Sequence, residues 1–168
     1  MLTKQITENM EIKEEQQVFY TTKQVKMQEI ILTLKKNENS EIYISKSTDS
    51  YSNLLKIWND DLELRERFVC IYVNRQNKII GYYNVSSGGL NGTVVDPKLI
   101  FSGALLVGAS GVILSHNHPS GNTKPSSADI KITNDMISAG KVLQIQILDH
   151  LIITSEGYYS FADEGLIK

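Results

Sequence analysis

The stretch Gly111-Val112-Ile113-Leu114-Ser115-His116-Asn117-His118-Pro119-Ser120-Gly121 decides the reading of this chain. Gly111 to Ser115 is a short apolar run that reads as a buried β-strand, and Pro119 and Gly121 mark His116 to Gly121 as the loop that follows. Two residues apart at a strand end, His116 and His118 project to one side of the sheet, because extended backbone repeats every second residue.

Downstream, Pro125-Ser126-Ser127-Ala128-Asp129 opens a helix expected over about residues 127–139 and ending at Gly140. Asp129 falls in its first turn, after a loop long enough to fold back over the strand end. Two neutral imidazoles and one carboxylate are a zinc ligand set that leaves a fourth position for water, as catalytic sites do; structural zinc favours thiolates. Another reading stands beside this one. A His-x-His pair before Pro-Ser-Gly also suits two ordinary loop histidines, and Ser126 with Asp129 is also a helix cap whose acid complements the helix dipole. Capping and ligation are compatible, because a cap orients the ligand.

Working outward, Phe68–Val73 and Ile79–Val85 are rich in β-branched and aromatic residues and flank the polar turn Asn74–Lys78, which predicts a hairpin. Before them, Ser45–Asp49 offers caps for a helix through about Asn59, with Tyr51, Leu54, Leu55 and Trp58 at helical spacing. Asp96-Pro97 supplies an N-cap and a first-turn proline for a helix over 97–109. The glycine-rich connection Ser86–Thr93 has neither a phosphate-loop Lys-Ser/Thr nor dinucleotide-binding spacing. Ile145–Thr154 reads as a long apolar strand, turned by Ser155-Glu156-Gly157 into Tyr158–Phe161. The alternation predicts an α/β fold, a mixed β-sheet flanked by helices.

With 168 residues, 41% hydrophobic and 21% charged, the chain suits one globular domain. Residues 1–44, rich in Lys, Glu, Gln and Asn around the run Ile30–Leu34, read as a partly ordered N-terminal arm; residues 45–168 read as the domain. No apolar run approaches the ~20 residues of a membrane span, and the first residues lack the apolar core of a secretory signal. A cytoplasmic location is expected, and the lone Cys70, which has no internal disulfide partner, is compatible with it. Cys70 and Trp58, amid apolar neighbours, read as core. A net charge of −2, from 17 basic and 19 acidic residues interspersed along the chain, is not the footprint of a duplex-DNA binder.

Ser115-His116-Asn117-His118-Pro119-Ser120-Gly121, followed by Pro125-Ser126 and Asp129, resembles the His-x-His, Ser-x-x-Asp signature of JAMM metallopeptidases, in the form of their RadC branch. Val95-Asp96-Pro97, Thr133, Ala139-Gly140 and Leu148-Asp149-His150 extend the resemblance over about residues 45–165. It implies a layered architecture like that of cytidine deaminases and a zinc-dependent peptidase or isopeptidase-like hydrolase. His116, His118 and Asp129 would hold the metal, Glu66 would be the general base, and Ser126 would donate to the oxyanion.

Glu63 is the nearest competitor for the base, and Glu66 also reads as a solvated charge in the run Asp60–Arg67. Asp149-His150 reads either as a pair supporting a ligand or as structural, and stays outside the catalytic set. The implied partner is a peptide or isopeptide substrate of unidentified sequence. The RadC resemblance also raises a DNA repair or recombination accessory role, unsupported by charge, and a non-catalytic scaffold is a third reading. RadC proteins carry an N-terminal helix-hairpin-helix region; residues 1–44 lack paired helices flanked by glycine, so a catalytic domain standing alone is expected. A zinc deaminase would need Pro-Cys-x-x-Cys, which one cysteine cannot supply.

Overall fold

The computed structural model describes residues 41–58, 62–88 and 95–167. The arm expected before residue 41, its apolar run Ile30–Leu34 and most of the glycine-rich connection lie outside the described residues. The elements in chain order are α1 (Ser47–Trp58), β1 (Arg67–Val73), β2 (Ile79–Ser87), α2 (Pro97–Leu106), β3 (Gly111–Asn117), α3 (Ser127–Leu143), β4 (Gln146–Ile153) and β5 (Tyr158–Ser160).

The strands form one five-stranded sheet in the order β2-β1-β3-β4-β5. All neighbours are antiparallel except β3 and β4, which run parallel and are joined through α3. Parallel neighbours need a crossover, and the helical spacing after Ser126 supplies it. The fold is thus the expected mixed sheet flanked by helices.

Strand alternation sorts the core into two layers. Phe68, Cys70, Tyr72, Val112 and Leu114 face Ile100, Phe101 and Ala104 of α2 and Met136 of α3. Val69, Ile71, Val73 and Ile113 face the other way, onto Leu54 and Trp58 of α1. Cys70 is fully buried, as read from sequence, and burial pushes its thiol pKa well up.

One register step breaks the alternation. Val112 pairs with Ile147 while Ile113 pairs with Asp149, so Leu148 is an extra residue in β4. Ile147 and His150, three apart, therefore both belong to the side facing α3, and Leu148 packs with the α1 layer.

At the hairpin, the Asn74 side chain accepts from the backbone N–H groups of Gln76 and Lys78, and Asn77 takes the left-handed conformation at φ 57°. Residues 42–44 lie along the start of β2: Ile79 N–H donates to the Ile42 carbonyl and Ile44 N–H to the Asn77 carbonyl.

Two boundaries depart from the sequence reading. β3 continues through Asn117, so His116 is a strand residue paired with Phe68 and Ile152, not part of a loop. The reason is that its imidazole has polar partners inside the sheet layer, so a polar residue can be buried there without cost to the ladder. Helix α3 continues past Gly140 to Leu143 and is closed by Gln144 at φ 57°. Gly140 serves packing: a Cβ there would collide with the Ile145 carbonyl where the chain doubles back. No helix among the described residues is long and apolar enough to cross a membrane.

Candidate metal centre

β3 delivers two imidazoles to the carboxyl end of the parallel strand pair, where open α/β sheets place their ligands. His116 is 1% exposed, and its ring lies parallel to that of its cross-strand neighbour Phe68, with centroids 5.9 Å apart. His118 follows the strand; its N–H still reaches the Ile153 carbonyl at 3.0 Å before Gly121, at φ 78°, turns the chain.

The third group comes from α3. Ser126 caps this helix through a reciprocal box, its hydroxyl accepting from Asp129 N–H at 3.2 Å while Asp129 Oδ2 accepts from Ser126 N–H at 2.7 Å. The same oxygen accepts from the Ser126 hydroxyl at 2.7 Å. These bonds, at the positive end of the helix dipole, turn the carboxylate toward the imidazoles. His116 Nε2 is 3.2 Å from Asp129 Oδ1 and 3.0 Å from His118 Nε2, and His118 Nε2 is 3.8 Å from Asp129 Oδ2. One ligand atom from each of the three residues lies within 4.8 Å of the other two.

The protonation of His118 follows from its partner. Its Nδ1 sits 2.6 Å from the Asn122 carbonyl, which can only accept, so Nδ1 carries a proton and Nε2 is the nitrogen left to offer a lone pair. Asp129 is an acceptor as well. Burial alone would raise its pKa, but the His116 imidazole beside it and the Ser126 hydroxyl and N–H outweigh this and hold it well below the usual carboxylate range.

Lone pairs thus converge on a point that lacks a donor of its own, an arrangement that a cation satisfies. Zinc fits the set: nitrogen and oxygen ligands about 2.0 to 2.1 Å from the metal stand roughly 3.3 Å apart in a tetrahedron, close to the separations here.

Glu66 sits one residue before β1 and is half-buried. Continuing the β1–β3 register from the pair Phe68 and His116 places it across from His118. Among the described residues its carboxylate is not part of the three-residue cluster. Glu63 is exposed in the preceding turn.

Sequence reasoning passed over Asn117 and undervalued His150 and Thr133. Asn117 Oδ1 accepts from Arg67 N–H at 2.8 Å, and its Nδ2 donates to the carbonyls of Leu62 and Arg65 at 2.7 and 2.9 Å, tying down the segment that carries Glu66. His150 Nε2 lies 2.9 Å from His116 Nδ1, and His150 Nδ1 lies 2.7 Å from Thr133 Oγ1. Burial lowers the His150 pKa well below its ordinary value, so the ring is neutral. The available signal was a histidine inside an apolar strand, where burial demands a partner. A cavity of about 480 Å³, lined by Asn74, Gly111, Lys141 and Gln146 among others, lies at the opposite end of β3 and contains none of these residues.

A family model described as "RadC-like JAB domain" matches residues 44–166. A UPF0758 protein of Flavobacterium johnsoniae is 50% identical over 101 residues, covering 60% of this chain and 44% of the relative. UPF0758 protein YfjY of Escherichia coli K12 is 40% identical over 121 residues, covering 72% of this chain and 75% of the relative. One from Salinibacter ruber is 44% identical over 119 residues, or 71% and 49% of the two chains. The chain spans about half the length of most of these relatives.

Proposed function

Because the chain belongs to the RadC-like JAB domain family, we propose that it is a zinc-dependent hydrolase of amide bonds, in peptides or isopeptides. The observation that carries this reading is the convergence of His116 Nε2, His118 Nε2 and the Asp129 carboxylate, with the His118 proton committed to the Asn122 carbonyl. Zinc held there lowers the pKa of a water toward neutrality and polarises a scissile carbonyl.

The chain's own groups do the rest. Glu66, in the segment that Asn117 ties down, takes the proton from the attacking water and hands it to the leaving amine. The Ser126 hydroxyl donates to the developing oxyanion. To do so it swings away from Asp129 Oδ2, which keeps the Ser126 N–H as a donor. Asp129 therefore remains capped and oriented through the reaction.

The test is elemental analysis of the purified protein beside His116→Ala and Asp129→Ala, followed by an amide-hydrolysis assay against mixed peptide and isopeptide substrates. About one zinc per chain in the wild type, lost in both variants, together with zinc-dependent cleavage, is the expected result. Equal metal in all three proteins, or none after reconstitution, sinks the reading.

A further inference from the structure

The buried bonds behind His116 have a direction. Thr133 Oγ1 lies 2.6 Å from the Asp129 backbone carbonyl. A carbonyl oxygen only accepts, so the single hydroxyl proton of Thr133 is spent there; otherwise two oxygens would face each other at that distance with no proton between them. Thr133 must then accept from its other neighbour, His150 Nδ1, at 2.7 Å. A neutral His150 protonated at Nδ1 has a bare Nε2, which accepts from His116 Nδ1 at 2.9 Å.

We propose that Thr133 and His150 form a proton-ordered relay that fixes His116 in the Nδ1–H tautomer and so keeps its Nε2 lone pair aimed at Asp129 and His118. Both are positioning residues acting through His116. The relay closes on itself: the Asp129 main chain receives its last proton, and the Asp129 side chain faces its far end. One residue of α3 thereby sets both the carboxylate and the tautomer of the imidazole opposite it.

The surroundings exclude substitutes. Thr133, His150 and His116 are all at most 2% exposed, so water does not compete for these bonds. Phe161 stacks on the His150 ring with centroids 4.8 Å apart, and Phe68 packs against both imidazoles, which fixes the plane of each ring.

The value of the relay for metal binding rests on the zinc reading, but its existence does not, and the experiment separates the two. Long-range proton–nitrogen NMR of the metal-free protein reads the tautomers of its three histidines. The expected result is a proton on Nδ1 of His150 with its Nε2 bare, and a proton on Nδ1 of His116; in Thr133→Val this order is lost, and in Thr133→Ser it returns. Zinc affinity, measured by chelator competition, is expected to fall about 10- to 100-fold in Thr133→Val and to recover in Thr133→Ser.

A proton on His150 Nε2 in the wild type, or unchanged tautomers in a folded Thr133→Val, overturns the relay. Correct tautomers with unchanged zinc affinity overturn its role in positioning the ligand. If the wild type binds no zinc, the metal reading fails while the tautomers still decide the relay. His150→Gln, which keeps one acceptor and one donor, serves as the second variant should Thr133→Val not fold; it is expected to retain more zinc affinity than His150→Leu, and equal affinities would count against the relay.

Discussion

The indole N–H of Trp58 donates to Asn117 Oδ1 at 2.9 Å, joining the last residue of α1 to the last residue of β3. The same oxygen holds the start of β1, and the amide nitrogen holds the two carbonyls of the preceding turn. A residue lying between two imidazoles in sequence thus organises the approach of Glu66 from a different part of the chain. Asn117→Ala strands four such partners and is expected to cost roughly 2 to 4 kcal/mol in urea unfolding. Asn117→Asp is expected to cost at least as much, since a carboxylate would face the Leu62 and Arg65 carbonyls.

Glu66→Gln separates base chemistry from metal binding. Zinc content is expected to stay near wild type while amide hydrolysis falls at least about 100-fold, the usual scale for a lost general base. If Glu63→Gln shows the large loss and Glu66→Gln does not, the assignment moves to Glu63.

Metal binding should be visible as stability. A ligand that binds only the folded state at about 100 times its dissociation constant adds roughly 2.7 kcal/mol, so zinc is expected to raise the thermal midpoint of the wild type. His118→Ala and Asp129→Ala should melt at temperatures that zinc does not raise. A zinc-induced rise of the same size in either variant would place the metal elsewhere.

Asp149 gives a pH dependence of defined sign. Burial pushes its carboxyl above the ordinary value of 3.8, against the pull of the Ser160 hydroxyl and the N–H groups of Ala162 and His150, with the Asp163 charge adding to the rise. With its pKa higher in the folded state, the folded chain holds a proton that the unfolded chain has released. This contribution to stability is full below 3.8 and is lost as pH rises through the folded value. The stability of Asp149→Asn relative to wild type should therefore improve between about pH 3.5 and 7. A difference that stays flat across this range contradicts the assignment.

The end of α3 supports two substitutions of opposite sign. Gly140→Ala meets the Ile145 carbonyl and is expected to destabilise by about 1 to 3 kcal/mol. Gln144→Gly, at φ 57°, relieves a left-handed side-chain residue and should stabilise by about 0.5 to 1 kcal/mol. Denaturation curves of both variants, each with unchanged zinc content, check the pair.

Sequence carried the element pattern and the cluster for the same reason: both depend on local spacing. β-branched and aromatic content placed β1 and β2, a long apolar run placed β4, the cap at Ser126 placed α3, and the two-residue step from His116 to His118 put both rings on one side. What stayed hidden depends on partners remote in sequence. The end of β3 was misplaced because His116 and Asn117 look like loop residues until His150, Trp58 and Arg67 supply their bonds. Gly140 looked like a helix terminator because its close approach to Ile145 is made only after the chain turns. Thr133 and His150 were visible as residues, but the direction of their hydrogen bonds follows from distances that no spacing encodes.

The extra residue in β4 shifts the phase of the strand by half a period, so that Ile147 and His150 answer to the same layer. Its consequence is a tolerance measured in length, not in chemistry. Other apolar residues can replace Leu148, since its place against the α1 layer asks only for bulk. Removing it would bring Ile147 and His150 two apart, the ordinary spacing for one face, so both halves of the strand would keep their layers and their partners on β3. The strand is thus one residue longer than its pairing with β3 requires, and the surplus residue fills the layer under α1 while His150 stays behind His116.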